Sequence, residues 1–204
     1  MQLLPLNNAA SIALAADWLG REENYRWLDF GDANHALAAS LNEMAQRDID
    51  VLRLFTPDGS DLPIGIVALS DVRQHWKMAG SVWVVLGRKR YASYACRAVS
   101  KVLTLGFVGL GLEAVSTWTV ETNTPFRAIL EQLNFKYIGR QRRRHWIDGR
   151  PYDRLLYDLL ATEHREIPDP HPHQLEPTAA ITRYRPQGPL PDEMAKAREV
   201  RPEP

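Results

Sequence analysis

Three β-rich segments crowd into residues 49–86, and the connections between them are too short to hold a crossover helix. IDVLRLFT (49–56) alternates with period two, and PDGSD follows as a turn. LPIGIVALSDV (62–72) is the second segment, and SVWVVL (81–86) is a third, strongly β-branched one, with VRQHWKMAG (72–80) as the connection. Strands spaced so closely pair antiparallel, because a parallel partner needs a long return. The chain is thereby committed to a meander, and the remaining elements must pack around it.

Those elements are mostly helices. LPL (4–6) reads as a short first strand. Residues 8–19 are alanine-rich and helical, and residues 34–47 place Leu37, Leu41, Met44 and Ala45 on one helical face. The longest helix spans Tyr94 to Leu110 and stops at GLGLE. EAVSTWTVE (113–121) is a strand, and Asn123 or Thr124 then caps a helix with Pro125 in its first turn. FKYIGRQRRRHWI (135–147) and YDRLLYDLL (152–160) form two strands around the turn DGRP. The order predicts an α+β protein with a mixed, largely antiparallel sheet flanked by helices.

Composition divides the chain at about residue 162. Nine of the fourteen prolines fall after that point and apolar residues thin out, so residues 1–162 read as the folded domain and 163–204 as an extended, largely disordered tail. DEMAKAREV (192–200) reads as a short helix for a partner. One cysteine, Cys96, allows no internal disulfide. With only six scattered histidines beside it, no standard zinc set is expected, and His164, His171 and His173 read as solvated. Twenty-five basic residues balance twenty-five acidic ones, which argues against a nucleic-acid-coating protein. The N-terminus lacks a basic stretch and no apolar run reaches membrane-spanning length, so a cytoplasmic protein without a membrane partner is expected.

The chemistry is expected where SVWVVL meets the long helix. GRKRYASYACRA supplies cations at Arg88, Lys89 and Arg90, small residues at Ala92, Ser93 and Ala95, and the free amides of a helix start. Such a junction cradles a phosphate or pyrophosphate. A basic loop whose small residues pack the helix onto the sheet is the competing account.

Residues 62–160 resemble the GNAT acetyltransferases, and within them the ribosomal-protein alanine acetyltransferases. The acyl-CoA loop of that family, Arg/Gln-x-x-Gly-x-Gly/Ala, is matched by Arg90-Tyr91-Ala92-Ser93-Tyr94-Ala95. Phe107 and Leu110-Gly-Leu112 follow at the helix end, then Asn123-Thr-Pro-Phe126, Leu133-Asn-Phe135, Gly139 with Arg142, and Asp148-Gly149 with Asp153. The resemblance implies a V-shaped cleft that binds acetyl-CoA as co-substrate, with no metal. Backbone groups of Val84, Val85 and Leu86 would bond the pantetheine arm, residues 90–95 the pyrophosphate, and a backbone N–H near Val85 the oxyanion, while Arg88, Lys89, Asn123 and Phe126 flank the cofactor. It departs from the family in Ser93 for glycine, Phe126 for serine, Asn134 for glycine, and Leu130 where many members carry a proton-donating tyrosine.

Glu121 is the candidate general base, acting through water beside Asn123. Asp71 and His75 are expected to lie away from the thioester. REENYRWLDFG (21–31) is expected over the acceptor site, where Tyr25, Trp27, Asp29 and Phe30, with Trp83 from the strand, would wall in a cationic amine. Arg140, Arg142 and Arg144 are expected to share one strand face. The leading expectation is an N-acetyltransferase acting on a protein N-terminus or a small amine. A CoA-binding module with weak or lost catalysis, and a ribosome- or RNA-associated binding protein, are the alternatives; a homodimer is left open.

Overall fold

Strand β3 (Gly65–Arg73) is buried on both faces and explains the layering. Ile66 and Ala68 point to one apolar cluster, Val67 and Leu69 to another, so period two sends alternate side chains into two cores. The computed structural model describes residues 1–29 and 37–169, within one unit that runs from Met1 to Asp169. Phe30, residues 34–36 of the second helix, His171, His173 and the 192–200 segment lie outside the described residues.

The seven strands are β1 (Gln2–Pro5), β2 (Val51–Thr56), β3, β4 (Met78–Leu86), β5 (Ala114–Val120), β6 (Lys136–Ile147) and β7 (Arg150–Leu160). Their spatial order is β1-β2-β3-β4-β5-β7-β6, and every pairing except β4 with β5 is antiparallel. The meander is therefore present as expected. Helices α1 (Ala9–Leu19), α2 (Glu22–Tyr25) and α3 (Leu37–Gln46) precede it. Asn8 caps α1 in a reciprocal box with Ser11, whose amide donates to Asn8 Oδ1 at 2.9 Å. Trp18, Leu19 and Leu41 join Ile66, Ala68, Trp83 and Val85 in one core. On the other face α4 (Ser93–Thr104) places Ala98, Val99, Val102 and Leu103 against Val67, Leu69 and Val82, and α5 (Thr124–Gln132) adds Leu130.

Three expectations are corrected. The segment 72–80 is mostly strand: β3 runs to Arg73 and β4 starts at Met78, separated by a three-residue turn and Lys77 at φ 50°. The long helix stops being α-helical at Thr104 and continues as a π-turn over Leu105–Gly109. There Gly106 touches Leu69 so closely that a Cβ would stand 2.7 Å from its methyl. The strict alternation expected of the arginines in β6 is interrupted. Register shifts between Tyr137 and Gly139, and between Gln141 and His145, break the alternation. Arg143 turns to φ 54° at the second of these, where its amide donates to Asp153 Oδ1 at 2.8 Å.

Residues 163–169, counted with the tail by composition, lie along α4. The Ile167 amide donates to the buried Ser100 hydroxyl at 2.8 Å, His164 meets Thr104 Oγ1 at 2.8 Å, and Asp169 bonds Arg97 at 2.6 Å and Lys101 at 2.9 Å. Among the described residues, no helix is long and apolar enough to cross a membrane.

Candidate functional site

β4 and β5 are paired only at Met78 with Ala114 and Ala79 with Val115. Beyond Ala79 they part, because β5 stays paired to β7 along Ala114–Val120 while β4 stays with β3 up to Leu86. The buried Thr117 hydroxyl donates to the Val82 carbonyl at 2.8 Å and satisfies one acceptor inside the splay. The gap opens into a cleft of about 700 Å³ walled by β4, β5, α2, α3 and the start of α5.

Val84, Val85 and Leu86 line it, as do Trp83, Lys89, Ala95, Asn123 and Phe126. The Asn123 side chain accepts the Phe126 amide at 3.4 Å, so it caps α5 and faces the cleft at once. Phe126 is half-buried: it lines the cleft and also packs on the rim of the α4–α5 core. Leu130, one helical turn on, is fully buried in that core and absent from the cleft wall.

The basic loop closes one end. Gly87 follows β4 under the Trp18 indole, where a Cβ would stand 2.1 Å from ring carbon, so only glycine fits. Arg88 is extended, Lys89–Tyr91 form a 3-10 turn, and α4 begins at Ser93. The Tyr91, Ala92 and Ala95 amides donate inside this loop, to Arg88, Lys89 and Ala92 carbonyls at 3.0–3.1 Å. Arg88, Arg90, Ala92 and Ser93 are exposed, and the Arg90 guanidinium stands 4.9 Å over the Tyr91 ring. Lys89 ion-pairs with Glu23 of α2, tying the loop to the segment that covers the cleft.

Of the acceptor residues named from sequence, Trp27, Asp29 and Trp83 line the cleft, whereas Tyr25 stays outside its wall. The Trp83 indole N–H donates to Ser70 Oγ at 3.0 Å. Arg154, itself buried, donates to Asp29 at 2.6 Å and stacks 3.9 Å over Trp118, another wall residue. Behind it lies buried His145, whose Nε2 meets the Arg26 carbonyl at 2.7 Å and whose Nδ1 meets the Arg154 guanidinium at 3.3 Å. Because a carbonyl only accepts, Nε2 carries the proton and Nδ1 takes the Arg154 N–H. Burial pushes the His145 pKa down, with Arg154 helping and the Arg26 carbonyl and Asp29 opposing.

One placement differs from expectation. Glu121 is not on the cleft wall; its carboxylate accepts the Asp153 amide at 3.0 Å, and the two residues are also joined from the Glu121 amide to the Asp153 carbonyl. It fixes the end of β5 to β7. Asp71 lines the cleft at its end away from the basic loop, while His75 is exposed on the β3–β4 turn beside Trp76. Five carboxylates, Glu23, Asp29, Glu43, Asp50 and Asp71, face this space with two cations, Arg47 and Lys89. Sequence reasoning missed Glu43, Asp50 and Asp71, because they converge only when α3, β2 and β3 are assembled. Among the described residues, no tyrosine, histidine or cysteine lines the cleft, and no cluster suits a metal ion. Cys96 lies in α4, half-buried, and burial pushes its thiol up to about 11.

No family model matches the chain. No curated protein matches it either. Solved structures do. Spermidine N-acetyltransferase from Vibrio cholerae in complex with CoA and spermine superposes with a TM-score of 0.70 at 14% identity, over 79% of this chain and 96% of that one. A chimera of the Vibrio cholerae enzyme and its human-type counterpart gives 0.68 at 15%, over 80% and 98%. A crystal structure described as that of an acetyltransferase gives 0.61 at 21%, over 79% and 83%. The mixed seven-stranded sheet flanked by helices is the GNAT acetyltransferase fold.

Proposed function

We propose that this chain, which has the fold of the GNAT acetyltransferases, is an acetyl-CoA-dependent N-acetyltransferase that acylates a primary amine. The observation that carries the reading is the splay of β4 from β5, which leaves a strand edge facing a cleft between a basic helix start and an acidic pocket. The backbone of Val84, Val85 and Leu86 would pair with the pantetheine arm as an added strand would. Arg88, Lys89 and Arg90 would hold the phosphates, with the Arg90, Ser93 and Tyr94 amides. Asn123 and Phe126 border the arm from the far side.

The acceptor nitrogen attacks the thioester carbon, a β4 backbone N–H near Val85 on the cleft side, that of Val84, steadies the oxyanion, and the carbon–sulfur bond then breaks to release the thiolate. Leu130 is sunk in the core, so the thiolate takes its proton from water. The ammonium of the incoming amine gives up its proton, through water, to the carboxylates of the cleft; Glu121 is turned away from it. Trp27, Trp83 and Trp118 form apolar and π walls around Asp29, which suits a cationic small amine better than a bulky protein surface. That a neighbouring fold holds CoA and spermine supports a cationic acceptor. The ribosomal-protein subgroup is the narrower form of this reading, with an N-terminal amine as acceptor in the cytoplasm.

The absence of a tyrosine, histidine or cysteine from the described cleft wall favours one second reading, a CoA-binding module with slow or lost chemistry. Calorimetry with acetyl-CoA and a thiol-release assay over a panel of amines separate them. Ser93 is exposed at the first turn of α4, so Ser93→Glu folds normally and sets a charge against the phosphates. Its acetyl-CoA affinity falls by about tenfold or more. Unchanged affinity in the folded variant sinks the phosphate assignment, and acetyl-CoA binding without thiol release for any amine selects the module.

A further inference from the structure

At the end of the cleft away from the basic loop stands a carboxylate that the fold does little to satisfy. Asp50 directly precedes β2, and its side chain is only 3% exposed. Its Oδ1 accepts one long bond, from the Asp71 amide at 3.4 Å. Its Oδ2 is buried and accepts no hydrogen bond, and its one charge partner is Arg47, ion-paired through Nε at 3.5 Å. A buried carboxylate ordinarily takes several donors, because losing water is costly for a charge.

Asp71 is the second unusual feature. It sits at φ 55° inside β3, where the register with β4 continues on both sides, from Ser70 with Ser81 to Val72 with Ala79. A left-handed residue other than glycine inside a strand costs energy. Gly80 makes room for it: a Cβ at Gly80 would lie 2.8 Å from Asp71 Oδ2. One Asp71 oxygen bonds Arg73 Nε at 3.0 Å. Both carboxylates line the cleft, together with Glu43, Ser70 and Ser81.

We propose that Asp50 and Asp71 form a distal cation subsite, and that the acceptor carries a second ammonium group separated from the reacting amine by an extended alkyl chain. The inference rests on the acetyltransferase reading of the cleft and names its substrate class as polyamine. From Val85, at the reacting end, to Ser81, beside the two carboxylates, β4 rises about 13 Å. A second charge at that distance selects a chain of spermidine length over a simple monoamine. The ammonium meets the half-exposed Asp71 carboxylate directly, and buried Asp50 behind it adds a second negative charge.

The test is calorimetry on the CoA-saturated protein with spermidine and with hexylamine as its singly charged counterpart. Spermidine binds the native chain at least about tenfold more tightly. Asp50→Asn removes about that advantage and leaves hexylamine and acetyl-CoA affinity unchanged. Asp71→Asn keeps a residue type that tolerates the left-handed backbone and acts in the same direction, which covers the case of a misfolded Asp50 variant. Equal affinity of the native chain for both amines overturns the subsite, as do variants that weaken both amines alike. Thiol release from acetyl-CoA with hexylamine, without preference for spermidine, overturns the subsite and keeps the acetyltransferase. Spermidine affinity lost on Asp50→Asn in a protein that acetylates neither amine keeps the subsite and overturns the acetyltransferase.

Discussion

Buried polar residues, more than the apolar ones, distinguish this chain at the residue scale. His145 is the clearest case, since it is neutral by virtue of its surroundings: Arg154 faces one ring nitrogen and a carbonyl takes the proton of the other. Protonation would put a second cation against the Arg154 guanidinium. Its folded pKa lies below the ordinary value of 6.5, so above that pH both folded and unfolded chains hold a neutral ring and the group is silent. As pH falls through 6.5 the unfolded chain binds the proton first, and stability declines until the folded ring titrates too. The melting temperature is therefore expected to fall between pH 7 and pH 5. His164, pushed down by burial in the same way, contributes in the same direction. His145→Gln keeps a donor for the Arg26 carbonyl and makes the decline shallower; an unaltered slope in that variant removes His145 from the account. None of this was legible in RQRRRHWI, where nothing in the run of arginines marks His145 as buried. The β-bulges at positions 137–145 decide its orientation, and they depend on Asp153 of the next strand accepting the Arg143 amide.

At the scale of elements, local rules served well wherever local forces decide the outcome. The Asn123 cap, the Pro125 start and the period-two strands β2 and β3 stand where sequence signals put them. Boundaries shifted where a long-range contact pays for a local irregularity. The π-turn at Leu105–Gly109 survives because Gly106 seats against Leu69 and its carbonyl accepts the Leu112 amide at 3.1 Å. The segment 163–169 shows the same effect. Its charges and Pro168 mark the start of a tail by composition, yet its residues answer polar groups on α4. Arg97 shows how well they do so: held between Asp58 at 2.8 Å and Asp169 at 2.6 Å, it keeps the Asp58 carboxyl far below the usual range. The buried Ser100 hydroxyl accepts the Ile167 amide, and losing that donor leaves the hydroxyl short of a partner. A chain ending at Thr162 should accordingly be less stable than one ending at Asp169, by roughly 1–3 kcal/mol or about 2–12 °C in melting temperature. Calorimetric melting of the two forms side by side checks it, and identical midpoints would mean that these contacts contribute nothing net.

For the whole molecule, the question is why a sheet should be left open in its middle. β1 to β4 form one antiparallel half, and β5, β7 and β6 form another. Two residue pairs, Met78–Ala114 and Ala79–Val115, join their ladders. The parting of the strands was expected only through a family resemblance, since strand propensity says nothing about where two strands separate. The acidic wall of the cleft was not expected at all beyond Asp29, for its members come from three elements. Past Ala79 one hydrogen bond crosses the gap, from the Thr117 hydroxyl to the Val82 carbonyl at 2.8 Å, and both ends are buried. It acts as a hinge pin for the V: without it the Val82 carbonyl would be unsatisfied beside a cleft. Thr117→Val preserves shape and removes the donor, so it should cost about 1–2 kcal/mol. The loss should be localised. Hydrogen exchange should quicken at the amides of β4 and β5 around the splay and remain native-like in β1, β2, β6 and β7. Saturating acetyl-CoA, by bonding to the open edge of β4, should slow exchange there again and stabilise the chain by about 2.7 kcal/mol at a hundred times its Kd. Thr117→Val exchange that quickens evenly over all seven strands would show the two halves to be held by their cores alone, with the crossing hydrogen bond incidental to the shape of the cleft.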